Sequence, residues 1–178
     1  YVSAGYGRYK TKEMAAGVSA GNDSTSFALN LSGINSDSFS ALVPDANLAE
    51  NANNLDKDNY RNRAVSSSLS HQFNDKIKID FQYFLTTGRL KSDNSFNAGA
   101  FKDERNKTKQ EAYSAKLTGN ISDDWESSLR IGKGIDLSTF DQVGSDHAIF
   151  KTSQYQLTWQ NNINLDYGSL VLLYDFLE

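Results

Sequence analysis

The stretch Ile77-Lys78-Ile79-Asp80-Phe81-Gln82-Tyr83-Phe84-Leu85 decides the fold. Ile77, Ile79, Phe81, Tyr83 and Leu85 take every second position. Lys78, Asp80, Gln82 and Phe84 fall between them. A repeat of two is the signature of an extended strand with one apolar face and one wet face. The same alternation returns on both sides of this stretch. Phe27, Leu29 and Leu31 alternate with Ser26, Ala28, Asn30 and Ser32, and Tyr113, Ala115 and Leu117 with Ser114, Lys116 and Thr118. Trp125, Leu129 and Ile131 alternate with Glu126, Ser128 and Arg130; Tyr155, Leu157 and Trp159 with Gln156, Thr158 and Gln160. Farther on, Leu170, Leu172, Tyr174 and Phe176 share one face. No 3.6-residue apolar stripe interrupts the series.

The bulk composition excludes several classes. The chain has 178 residues, a net charge of −4, one proline and no cysteine. No basic run points to nucleic acid. Without cysteine there is neither a disulfide framework nor thiol chemistry. The opening Tyr1-Val2-Ser3-Ala4-Gly5-Tyr6-Gly7 has neither the basic start nor the apolar centre of a signal peptide. The longest apolar run, Leu170 to Tyr174, is far shorter than the roughly 20 residues a membrane-crossing helix needs. Mean hydropathy is −0.57. That value does not exclude a membrane barrel, in which apolar and polar residues alternate and average out.

A water-soluble β-sandwich alternates in the same way, so the connections decide between the two. Gly21-Asn22-Asp23, Asn74-Asp75-Lys76, Ser122-Asp123-Asp124 and Asp166-Tyr167-Gly168 have the chemistry of tight hairpin turns. Long polar stretches, 35–62, 90–110 and 138–150, lie between them. Short and long connections therefore alternate, as in outer-membrane barrels with short periplasmic turns and long extracellular loops. Strands are expected over 1–8, 12–21, 25–36, 62–73, 76–89, 110–121, 124–136, 151–165 and 168–178. Phe73, Trp125 and Tyr167 would form a periplasmic aromatic girdle. The expectation is an all-β protein: a transmembrane antiparallel β-barrel in the Gram-negative outer membrane, of which residues 1–178 supply the N-terminal part. Bacterial barrels of this kind have an even number of strands, and an open edge in lipid leaves backbone groups unsatisfied. Further strands are therefore expected to close it.

Three stretches carry a resemblance. Val2-Ser3-Ala4-Gly5-Tyr6-Gly7 resembles the first barrel strand of TonB-dependent outer-membrane receptors. Asp56-Lys57-Asp58-Asn59-Tyr60-Arg61-Asn62-Arg63, leading into Leu69-Ser70-His71-Gln72-Phe73-Asn74-Asp75, is similar to the vitamin B12 (cobalamin) receptors of that group. So is Tyr155 to Asn162, with Trp159 and the Asn161-Asn162 pair. The resemblance implies a barrel of about 22 strands around a plug, with the plug and remaining strands outside these residues. It also implies TonB-dependent active uptake of cobalamin, the TonB complex being engaged through the plug.

The long connections are rich in acids. Asp56 and Asp58 lie in the first, and Asp93, Asp103 and Glu104 in the second. Neighbouring hairpins can bring these carboxylates together, and calcium takes 6–8 oxygen ligands of that kind. In the resembled receptors, acids of these two loops bind calcium over the substrate. Asp56, Asp58 and Asp93 match that pattern, with Asp103 or Glu104 as a fourth. This chain departs from it at Phe39-Ser40, where the family places an acid after an aromatic. Asp37 or Asp45 would have to substitute, or the site loses a ligand. The plainer alternative is a set of solvated acids, bridged to lipopolysaccharide through divalent ions. The Asp56-x-Asp58-x-Tyr60 spacing is not an EF-hand.

Other candidates are sparser. His71 falls near a short turn and His147 in a long connection, with no converging nucleophile and acid around either. Arg61, Arg63, Arg89 and Lys91 suit lipopolysaccharide phosphate, an anionic siderophore or simple solvation. Lys78, Asp80, Lys116, Glu126 and Arg130 would line a charged lumen. Tyr60 and Phe96 are aromatic candidates for ligand contact. The expectation is thus an importer rather than an enzyme, with cobalamin as cargo. A ferric-siderophore or haem receptor, or a smaller porin or adhesin barrel, are the alternatives.

Overall fold

The computed structural model describes residues 1–40, 46–47, 56–93, 103–142 and 147–178. Nine strands form one antiparallel sheet in sequence order. They are β1 (Val2–Tyr6), β2 (Lys12–Gly21), β3 (Thr25–Ser36), β4 (Tyr60–Asn74), β5 (Ile77–Asp93), β6 (Asp103–Ser122), β7 (Trp125–Gln142), β8 (Ala148–Leu165) and β9 (Gly168–Leu177). A 3-10 turn, Arg8–Lys10, lies between β1 and β2. The expected all-β fold and the strand order are what the chain adopts.

All four short turns fall where Asn, Asp and Gly cluster. Asn22 Oδ1 accepts the backbone N–H of Ser24 at 3.0 Å and of Thr25 at 2.7 Å. Asn74 Oδ1 accepts those of Lys76 and Ile77, both at 2.9 Å. Each Asx side chain thus satisfies donors that the reversing backbone leaves without a ladder partner. Gly168 opens β9 at φ +156°, where a side chain would be strained.

The opposite ends of the strands differ from expectation. β5 runs on to Asp93 and β6 begins at Asp103, and the two remain paired over that whole length. β7 and β8 likewise extend to Gln142 and Ala148. The extensions of β7 and β8 include Leu137, Phe140, Ile149 and Phe150, whereas those of β5 and β6 are polar apart from Leu90 and carry no apolar alternation to be read. The ladder, not the side chains, makes them strands.

Register sorts the residues cleanly between two faces. One row across the sheet is Phe27, Leu69, Phe81, Ala115, Ile131, Leu157 and Phe176. The next row toward the short turns holds His71, Ile79, Leu117, Leu129, Trp159 and Tyr174. On the opposite face one row reads Ser70, Asp80, Lys116, Arg130, Thr158 and Asp175. The charged residues expected to share a lumen do share that face. Phe84 of β5 and residues of β9 depart from the two-sided pattern. Val171 and Leu173 stand on the polar face and are 59% and 63% exposed.

No second sheet among the described residues covers the apolar face. Among the described residues no hydrophobic side chain is buried, and Phe27, Leu69, Phe81, Leu117, Leu129 and Trp159 are all exposed. Polar atoms on this face are paired within it. Trp125 Nε1 donates to Asn161 Oδ1 at 3.0 Å, and Trp159 Nε1 donates to Ser127 Oγ at 3.0 Å. Ser127 and Asn161 are themselves direct register partners, so each indole reaches diagonally to the neighbouring strand's polar residue.

Candidate functional site

The long connections 37–59, 94–102 and 143–147 all leave from one end of the sheet. The acids singled out from sequence are distributed there by the ladder. Asp93 and Asp103 are direct Cα partners across β5 and β6. Facing like charges repel, and Lys91 lies two residues before Asp93 on the same face. Its ammonium is 3.0 Å from Asp103 and pairs with Asp56 as well. Hydrogen bonding to Asp56, then to Asp103, raises the Lys91 pKa above its ordinary value. Carboxylate oxygens of Asp56, Asp93 and Asp103 all lie within 4.8 Å of one another. Asp56 Oδ1 is buried, with no hydrogen-bond partner among the described residues.

Three of the four acids assigned from sequence therefore converge: Asp56, Asp93 and Asp103. Asp58 is not in that triad. It is buried, 7% exposed, and its backbone N–H donates to Phe39 O at 3.3 Å. Phe39 in turn packs on Tyr9, with ring centroids 5.2 Å apart. Asp58 thus belongs to the packing of the first long connection. Glu104 follows Asp103 on the strand and so takes the opposite face. Asp37 pairs with Lys10 at 3.5 Å, and its N–H donates to Tyr9 O. Asp45 and Phe96 lie outside the described residues. Tyr60 opens β4 opposite Ser36 and Leu90.

The residue that sequence reasoning missed is Lys91, first grouped with the loop bases. The signal was its spacing: Lys and Asp at i and i+2 on a strand share a face. Three carboxylates suit a hard cation. Lys91 already supplies one positive charge among them, so a calcium ion would have to displace the ammonium or share the acids with it.

A second ion-pair group lies nearby. Lys107 donates to Asp141 at 2.6 Å, and His147 pairs with the same carboxylate. The hydrogen bond from Lys107 holds the Asp141 carboxyl below its ordinary range. The other histidine is elsewhere: His71 Nδ1 bonds Thr25 Oγ1 at 2.7 Å near the short turns.

No protein-family model matches the chain, and no curated protein matches it. The site is therefore read from its own chemistry.

Proposed function

We propose that this sheet is part of the wall of an outer-membrane β-barrel that takes up a large nutrient, with cobalamin the preferred cargo. One observation carries the membrane reading: an extended apolar face with no described residue packed over it and, among the described residues, no buried hydrophobic core. Water would penalise such a face by about 25 cal/mol per Å² of apolar surface, whereas lipid does not. The band has the right height. On β5 it runs over nine residues, Ile77 to Leu85. Strands tilted by about 45° need roughly 9–11 residues to cross hydrocarbon. Beyond Leu85 the same face turns charged, at Arg89 and Lys91. Tyr83, Tyr113 and Tyr155 are aligned in one cross-strand row at that upper side, as expected of an aromatic girdle.

The paired indoles support the same reading, because a polar group in lipid must find its partner within the protein. β1 and β9 are the edges of the sheet, and edges in lipid require further strands to close the barrel. The polar face, with Asp80, Lys116, Arg130 and Asp175 in one row, suits contact with water or with a plug in the lumen.

Uptake of cobalamin rests on the stretches 2–7, 56–75 and 155–162 and on the acid triad at the rim. It is tested by binding of labelled cyanocobalamin to outer membranes carrying the parent protein, with calcium and with chelator. Saturable binding that weakens on chelation supports both cargo and metal. Binding indifferent to chelation keeps the cargo and leaves Lys91 as the cation of the triad. Absence of binding by folded protein moves the assignment to a siderophore or haem receptor.

A further inference from the structure

We infer that the side of β4–β6 just beyond the apolar band binds the phosphorylated headgroup of an outer-leaflet glycolipid, an inference that rests on the outer-membrane reading above. Register carries the argument. Arg61 is the direct partner of Arg89, and Arg89 is the direct partner of Lys107. Three cations thus stand side by side on adjacent strands, about 4.8 Å apart from strand to strand. Arg63 lies one row nearer the apolar band, across from Thr87, which faces Lys109.

Like charges directly opposite one another destabilise a sheet. The acids nearby offset only part of this. Lys107 is taken by Asp141 at 2.6 Å and Lys109 by Glu111 at 2.8 Å. None of Arg61, Arg63 and Arg89 forms an ion pair with a described residue, and all three are exposed. A row of guanidiniums without carboxylates is suited to an external anion, and the planar fork of arginine matches phosphate oxygens in pairs.

The position of the row selects the ligand. Arg63 is two residues from Val65 and Arg89 four from Leu85, on the same face as Leu69 and Phe81. A ligand seated here has its anionic head on the arginines and its apolar body along the exposed band. That describes an amphiphile with phosphate at the head, not a free anion. On the polar face Lys116 faces Arg130, but a carboxylate stands in the same row: Asp80 is the direct partner of Lys116 and is 3.1 Å from Lys78.

The test is native mass spectrometry of the parent protein in mild detergent, with three probes: bisphosphorylated lipid A, the same lipid without phosphates, and phosphatidylglycerol at matched charge. The variant is Arg61→Gln/Arg63→Gln/Arg89→Gln. Arg89→Gln alone is a gentler second variant, and Lys78→Gln/Lys116→Gln on the polar face is the control. Folding is checked by heat-modifiable gel mobility. Bisphosphorylated lipid A should bind the unaltered and control proteins, and the triple variant about a hundredfold more weakly, at about fivefold per charge removed. Arg89→Gln should lose about fivefold. Unchanged binding by the folded variants overturns the site. So does equal retention of phosphatidylglycerol, or full displacement by millimolar inorganic phosphate, which would make it a soluble-anion site. A parent protein that shows no heat-modifiable barrel overturns the outer-membrane reading itself, a result separate from any change among the variants.

Discussion

The two halves of the same sheet face obey different rules. Near the short turns the face is Phe, Leu, Ile and Trp, uncovered, with its few polar atoms paired sideways. Near the long connections the same face, on the same strands, is Arg, Lys and Asp, with Lys91, Lys107 and Lys109 held in ion pairs. The change falls within two to four residues on each of β4, β5 and β6. Hydrogen-bond pairing is continuous across it, so the ladder is indifferent to the change. On the membrane reading proposed above, what differs is the surroundings that each half fits: hydrocarbon for the first, water and charged headgroups for the second.

The largest expected effect comes from placing a charge on either side of that boundary. Leu117→Arg, in the apolar half, should cost about 2–4 kcal/mol of folding free energy in vesicles, while Leu137→Arg, on the same face in the polar half, should cost no more than about 1 kcal/mol. Reversible folding titrations into phosphatidylcholine vesicles measure both. Equal costs would erase the boundary and return the sheet to an aqueous setting.

Next in size is the pairing of polar atoms in the apolar half. Asn161→Leu removes the acceptor for Trp125 Nε1. It should cost about 1–3 kcal/mol, the penalty of a desolvated donor. Indole side-chain exchange or folding titration reads it. The same substitution would be nearly neutral if water reached the indole.

The polar half is probed at Lys91. Lys91→Met leaves Asp56, Asp93 and Asp103 without the ammonium. The tie between the first long connection and β5 should loosen, with hydrogen exchange at the Asp58 and Lys91 amides rising by about fivefold. Calcium should then restore protection in the variant and do little in the unaltered protein. A fully calcium-dependent unaltered protein would show instead that metal displaces the lysine. The pH dependence has a definite sign. The Lys91 pKa is raised from 10.5, so the tie is fully present below that value and is lost as pH rises through the shifted one. Asp141 is lowered from 3.8, so its pair with Lys107 holds above that value and is lost as pH falls through the lowered one.

The smallest effect belongs to the turns. Asn74→Ala removes the acceptor for two backbone donors and should cost about 1 kcal/mol. Gly at that position should not rescue it, because the lost element is the side-chain oxygen. Folding titrations again give the measure.

By itself the sequence determined the strands of the apolar half, their faces and all four short turns. Alternation over 77–85 and Asx chemistry at Asn22 and Asn74 are local, so each can be read from a few neighbouring residues. It placed Asp56 and Asp58 in the first long connection, but Asp93 and Asp103, read as loop residues, end β5 and begin β6. The tertiary structure alone decided the rest. β5 and β6 continue to Asp93 and Asp103 with no apolar pattern to announce it, because backbone pairing tolerates polar side chains on both faces. That extension puts Asp93 opposite Asp103, brings Lys91 into the triad, turns Glu104 away and leaves Asp58 in a separate packing contact. It also aligns Arg61, Arg89 and Lys107, which are distant in the chain. Register is a property of paired strands, and which charges meet across a sheet follows from register.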